Sequence, residues 1–320
     1  MTYNPQIKTY YSDQMSSLKK VGESRSPEKP KLLMEYLVAK KLTPEFFTIE
    51  ANFPPFSKQD FYIAHSTRYV DCFFEGKKPL AESNGLKWSP EFAQSVTYTN
   101  ASLYHAIREA VLNPSQVTFS PISGMHHAQP ESGLWYCTFS GQVIASIKVY
   151  QEFGIAGAYI DLDGHFGNSI EDSREFNETL NLAVPRGMNV NPIGIGSNYI
   201  ESFKKGLESV KAAALAGTIG YIVWCHGADS EINDDLFARQ CSTQEWVECA
   251  QIFYQWVNEV NALLINNGQK QLGIILTLFG GYRQDDFNSV LSLHTADLVQ
   301  CLNLLCGHQI DYQLEVVQKE

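Results

Sequence analysis

The sequence predicts an α/β fold of three layers, α/β/α, with a mainly parallel central sheet. Two observations carry this reading. Short apolar, β-rich runs alternate with longer amphipathic segments, which implies right-handed crossovers and a sheet covered by helices on both faces. Several runs also pass directly into polar, titratable residues, and a parallel sheet carries its functional groups just beyond the carboxyl ends of its strands.

The elements follow in order. Residues 11–31 (YSDQMSSLKKVGESRSPEKPK) are polar and contain two prolines, so they read as an exposed loop at the rim of the site. A helical period begins at once in LLMEYLVAKKL, 32–42. FYIAH (61–65) reads as a strand ending on His65, and PEFAQSVTYTNASLYHAIREAVL (90–112) as a helix. QVTF (116–119) is a strand leading into SPISGMHHAQ, followed by a helix at 142–154. AYIDLD (158–163) leads into GHFG, and NLAV (181–184) reads as a further strand. A helix at 198–217 precedes the strand YIVWC (221–225), which leads into HGADS. The last pair is a helix at 243–268 and the strand GIILTLF (273–279), which leads into GGYRQDD. No internal repeat or second linker interrupts the pattern, so residues 1–320 read as one domain.

Composition narrows the function. The 320 residues are 44% hydrophobic and 18% charged, an ordinary globular balance. Twenty-four Lys and Arg against 35 Asp and Glu give a net charge of −11, which argues against nucleic acid and, through the overall field, mildly favours cationic substrates. The seven cysteines form no CxxC pair and read as reduced thiols, with Cys137 and Cys225 buried as small hydrophobes. The amino terminus has no secretory pattern, and no apolar run approaches the ~18 residues of a membrane span. The expectation is a cytoplasmic protein without a membrane partner; export by a route lacking a cleavable signal and the oligomeric state stay open.

Chemistry concentrates after the strands. Side chains alternate along a strand, so Asp161, Asp163 and His165 are expected on one side, where a carboxylate and an imidazole share a metal ion. Taken alone, DxDxH is as well read as a solvated strand end, and Asp229 as a helix cap. Together, Asp163, His165 and Asp229 make an Asp-His-Asp set, three ligands with one position left for water and a substrate carbonyl. Zinc suits it, and its oxygen-rich character also admits iron(II) or manganese. His126-His127 is placed to supply a general base and acid. Tyr282, after Gly280-Gly281, is placed to donate to an oxyanion.

The ordered set SPEKP, SPISGMHHA, WYC, YIDLDGHFGN, GADS and FGGY resembles the zinc-dependent histone deacetylase family, including its acetoin-utilisation-type and acetylpolyamine-hydrolysing bacterial relatives. The likeness runs from about Tyr10 to the end of the last strand. It implies an arginase/deacetylase-like fold, zinc on Asp163, His165 and Asp229, and His126 with His127 as the acid–base pair. It also implies Tyr282 as carbonyl polariser, Asp161 supporting His126, Asn168 partnering His127, and potassium near Asp161, Asp163 and His165.

The chain departs from the family pattern in several places. His165-Phe166-Gly167 stands where the family has HHG, and Val184 where a serine is usual. Trp135-Tyr136-Cys137 stands for GFC, putting an indole where glycine is usual and in position to narrow the tunnel. The loop 186–196 lacks a second aromatic wall. Leu236, seven residues after Asp229, stands where polyamine-specific members place a carboxylate, although Glu231, Asp234 and Asp235 are close by. The implied activity is removal of acetyl groups from lysine in a protein or peptide, with Trp135, Tyr136 and Leu236 walling the tunnel. An acetylpolyamine hydrolase and a catalytically weak acyl-lysine-binding module are the alternatives.

Overall fold

The computed structural model describes residues 3–17, 24–236 and 238–319. The strands are β1 (Ile7–Tyr10), β2 (Phe47–Glu50), β3 (Thr118–Phe119), β4 (Gly157–Asp161), β5 (Asn189–Val190), β6 (Tyr221–Cys225) and β7 (Gly273–Thr277). The helices are α1 (Lys29–Ala39), α2 (Lys58–Phe61), α3 (Thr67–Phe74), α4 (Pro90–Leu112) and α5 (Gly141–Phe153), then α6 (Ser169–Asp172), α7 (Leu180–Ala183), α8 (Ser197–Leu215), α9 (Thr243–Asn266) and α10 (Phe287–Leu304). The strands form one sheet in the order β2-β1-β3-β7-β6-β4-β5, and every pairing is parallel. Helices cover both faces, giving the three-layer arginase/deacetylase-like architecture.

The central strands β4, β6 and β7 are buried at every residue, as a parallel sheet covered on both sides requires. On one face, Trp224 of β6 stacks on Phe253 of α9 with ring centroids 4.1 Å apart, and its Nε1 lies 3.2 Å from both carboxylate oxygens of Asp297 on α10. On the other face, the Thr118 hydroxyl donates to the Ala106 carbonyl at 2.9 Å, and the Ser102 and Ser120 hydroxyls meet at 2.6 Å, seating α4 against β3. Helix starts follow local chemistry. Ser89 caps α4 with Pro90 next in line, and Ser242 with Glu245 forms a capping box on α9.

Some local readings are overturned. FYIAH is no strand: Ser57 and Asp60 form a capping box that starts α2, and 61–65 close that helix and its turn. NLAV is helical as well. The Asn177 side chain accepts from Thr179 N–H, and a short helix follows that buries Leu180 and Ala183 at i, i+3. The segment 11–31 is not an exposed loop in its described part. Met15, Ser17, Ser24, Ser26 and Pro30 are buried there, and α1 begins inside it at Lys29; residues 18–23 lie outside the described set. Strands β1, β2 and β5 are short, and α10 is buried nearly all round, so neither kind displays the amphipathic period that marks an element in sequence. The seven cysteines are unpaired, with Cys137 and Cys225 buried. None of the described helices is long and apolar enough to cross a membrane.

Candidate active site

Sheet order explains why the scattered motifs meet. β3, β7, β6 and β4 are four consecutive neighbours, all parallel, so their carboxyl-end loops share one edge. Those loops carry His126-His127, the segment 278–282, Asp229, and the segment 162–168 respectively.

Ligand atoms of Asp163, His165 and Asp229 all lie within 4.8 Å of one another. The His165 Nδ1 is 2.9 Å from an Asp229 oxygen and 3.3 Å from an Asp163 oxygen. Backbone amides hold the carboxylates in place: Gly280 N–H donates to Asp163 at 2.7 Å and Gly164 N–H to Asp229 at 2.9 Å. Two glycines make the approach possible. A Cβ on Gly280 would lie 2.2 Å from the Asp229 carboxyl carbon, and one on Gly227 would lie 2.5 Å from an Asp229 oxygen.

The electrostatics of this group show a deficit of positive charge. Burial and the Asp163 charge push Asp229 up to about 7. Burial also pushes Asp163 up, but the His126 charge and a hydrogen bond from His165 outweigh it and hold Asp163 well below the usual carboxylate range. Hydrogen bonds to Asp163 and Asp229 raise His165 to about 10. Two buried carboxylates and an imidazole that retains a proton to that pH form a donor set suited to a divalent cation, which displaces the proton when it binds.

Behind this set, His126 Nδ1 is 2.9 Å from Asp161 and its Nε2 is 3.5 Å from Asp163. Against the effect of burial, the charges of Asp163 and Asp161 raise His126 to about 9. The His127 ring lies 4.0 Å from that of His126, with its Nδ1 2.9 Å from Asn168 Oδ1. The Asn168 amide nitrogen donates to Asp172 at 2.5 Å, so its oxygen must face His127. That fixes the proton of His127 on Nδ1 and leaves Nε2 as an acceptor. Burial and the neighbouring His126 lower His127 to about 4.

A cavity of about 620 Å³ opens onto this centre, lined by Ser83, Asn84, Gly85, Leu134 and the site residues His127, Trp135, Tyr136, His165, Leu236 and Tyr282. Burial and the charges of Asp163 and Asp229 push the Tyr282 phenol well up, so it stays protonated and able to donate. Its backbone is pinned by an N–H bond to Asp234 at 2.7 Å.

Residues 23–183 match the histone deacetylase domain, half of the chain. The chain belongs to the histone deacetylase family. It is therefore a deacetylase amidohydrolase acting on acetylated substrates, in a family that is generally metal-dependent. A crystal structure of the HDA15 HD domain aligns over 97% of this chain and 91% of its own at TM-score 0.69; with 16% identity it speaks to the fold alone. No curated protein sequence matches the chain.

In this deacetylase every residue singled out from the sequence for catalysis, metal or tunnel lies in the one constellation. Trp135, which stands where the family has glycine, lines the cavity from a turn. Trp135 and Tyr136 are the central residues of a tight turn, closed by reciprocal Leu134–Cys137 backbone bonds, with φ of 42° and 65°. The turn carries the indole outward, so Trp135 is 63% exposed and stands edge-to-face over His127 at 5.0 Å. His65, expected at a functional strand end, is structural: its Nδ1 donates to the Gln129 carbonyl and its Nε2 accepts from Ser140 N–H.

The sequence reading missed Lys29. Its side chain is fully buried, and its ammonium donates to the Phe279 carbonyl at 2.6 Å, behind the loop that bears Tyr282. Burial lowers it to about 8, against the pull of Asp229, Asp163 and Asp234. SPEKP marked the segment, but a single lysine in a polar stretch carries no sign that it will be buried.

Proposed function

We propose that this deacetylase hydrolyses the amide of Nε-acetyl-lysine in a protein or peptide, releasing acetate and the free amine, with zinc held by Asp163, His165 and Asp229. The observation that carries the proposal is the convergence on one cavity of a buried Asp-His-Asp set, an imidazole with a free Nε2, and a phenol locked in its protonated form. When bound, the ion supplies Lewis acidity toward the acyl carbonyl and makes water a competent nucleophile near neutral pH.

The chain's own groups do the rest. His127, its Nδ1 proton held by Asn168, takes a proton from the attacking water at Nε2 and returns it to the leaving amine. His126 is oriented by Asp161, with its Nε2 3.5 Å from Asp163. Tyr282 donates a hydrogen bond from its hydroxyl to the carbonyl oxygen as negative charge develops there. Tyr136, Trp135 and Leu236 wall the alkyl chain of the substrate.

The surroundings of Leu236 favour lysine over a polyamine. The nearby carboxylates are committed elsewhere: Glu231 to Asn233 and Thr243, Asp234 to the amides of Leu236 and Tyr282, and Asp235 to Gln284 N–H and Lys319. Glu231 and Asp234 are buried and Asp235 is paired with Lys319, so none of the three is presented to a distal ammonium.

Acetate release from acetyl-lysine peptides and from acetylated polyamines by the zinc-loaded protein tests the reading. Turnover of the peptides should vanish on chelation and fall at least a hundredfold in Tyr282→Phe, with metal content unchanged. Exclusive turnover of polyamines would replace lysine as the substrate, and no turnover by metal-loaded protein would refute the activity.

A further inference from the structure

Fourteen large apolar side chains stand exposed among the described residues, and five of them lie on segments that line the cavity or are hydrogen-bonded to its lining strip: Trp135 (63%), Phe166 (60%), Ile193 (69%), Ile195 (69%) and Leu236 (40%). Trp135 and Leu236 line the cavity itself, and Phe166 directly follows His165 on its wall. The loop holding the two isoleucines is anchored at both ends to the strip that carries His165 and Phe166. Asn191 accepts from Gly167 N–H at 2.6 Å; Gly196 N–H donates to the Gln240 carbonyl at 2.6 Å, and the Gln240 side chain donates to the Gly164 carbonyl at 3.3 Å. Ile193 N–H is fixed in turn by Ser202 at 3.1 Å.

These side chains are therefore presented outward by braced backbone instead of folding into the core. An apolar patch on the rim of a binding cavity is a recognition surface more often than a neutral one. The three segments GLWYC (133–137), GHFGN (164–168) and NPIGIG (191–196) contain no Asp, Glu, Lys or Arg. They offer nothing to read a charged flank by ion pairing.

We propose that this rim selects acetyl-lysine flanked by large apolar residues, rather than acetyl-lysine set in a basic tail. The proposal rests on the acetyl-lysine reading above. The acyl-lysine side chain descends past Tyr136 toward Tyr282, while neighbouring substrate side chains lie on Phe166, Ile193 and Ile195. The occupant is the substrate itself, because the backbone that presents these side chains is bonded to the strip carrying His165, which lines the cavity that receives the reacting group.

The test compares kcat/KM of the zinc-loaded protein on three peptides with Gly, Leu/Phe or Arg on both sides of acetyl-lysine. Fluorescence anisotropy of the same labelled peptides is measured in parallel. The Leu/Phe peptide should exceed the Gly peptide about tenfold, through KM, which is what burial of roughly 55 Å² of apolar surface supplies. The double variant Ile193→Asn, Ile195→Asn should erase that advantage to within about twofold while leaving the Gly peptide unchanged. Equal rates for the Leu/Phe and Gly peptides, preference for Arg flanks, or a preference surviving in the double variant would overturn the proposal. A concentration-dependent dimer dissolved by the double variant would assign the patch to a second copy and overturn it too. If no peptide turns over, the acetyl-lysine reading fails, and the anisotropy ranking still decides whether the rim prefers apolar flanks.

Discussion

Replacing Gly280 by alanine should weaken metal binding at least a hundredfold while sparing the fold. The new Cβ would sit 2.2 Å from both Cγ and Oδ1 of Asp229 and 2.4 Å from its other oxygen, where ordinary van der Waals contact begins near 3.4 Å. Either the carboxylate or the 278–282 backbone must yield by about 1 Å, whereas a metal centre tolerates about 0.2 Å in its ligand distances. If Asp229 retreats, it loses its bonds to Gly164 N–H and His165. If the backbone retreats, Gly280 N–H leaves Asp163 and carries Tyr282 with it. Disturbing an outer partner alone costs 10- to 100-fold in affinity. Displacing a ligand should cost at least a hundredfold, about 3 kcal/mol. Competition against a fluorescent zinc chelator measures the affinity, and thermal unfolding of the metal-free protein checks the fold. An alanine variant binding zinc within threefold of the parent, with full turnover, would refute the assignment of Asp163 and Asp229 to one ion.

Three further outcomes follow from particular contacts. His65 is buried and held neutral between Gln129 and Ser140, and burial lowers it to about 4 from an ordinary 6.5. The unfolded chain therefore binds more protons between those values, so stability is complete above pH 6.5 and falls by about 3 kcal/mol as pH drops through 4. Denaturant titrations of the metal-free protein and of His65→Gln should differ in their dependence on pH within that window and run parallel above pH 7. Lys29→Met removes the 2.6 Å charge-assisted bond to the Phe279 carbonyl, leaving only the Ser123 donor there. It should destabilise the protein by about 2 kcal/mol in urea unfolding, and an unchanged midpoint would show that the buried ammonium holds nothing in place. Trp135→Gly relieves a left-handed φ of 42° at a position where the indole is mostly exposed, so it should gain about 1 kcal/mol of stability. A lower Tm would mean that the contact with His127 outweighs the strain.

The long amphipathic helices and the core strands were legible because their signals are local. The periods of 90–112 and 243–268 are written in adjacent residues, and β4, β6 and β7 are apolar runs that lead directly into polar, titratable residues. FYIAH and NLAV misled for the same reason: four or five apolar residues suit a strand or a helical turn equally, and the deciding signals were the side chains of Asp60 and Asn177. The site residues were legible as types in order, since DxDxH, paired histidines and a glycine-flanked tyrosine each carry chemistry before any fold is known.

The sequence by itself determined which groups are available, where the parallel strands present them, and which family they belong to. Only the tertiary structure decided that Asp163 meets Gly280 across 117 residues, that Lys29 lies buried behind Tyr282, that Trp135 is mostly exposed on the cavity wall, and that His65 is a strut. Periodicity and capping depend on neighbours along the chain. Burial, close backbone approach and pKa depend on neighbours in space, which strand order brings together and local sequence does not encode.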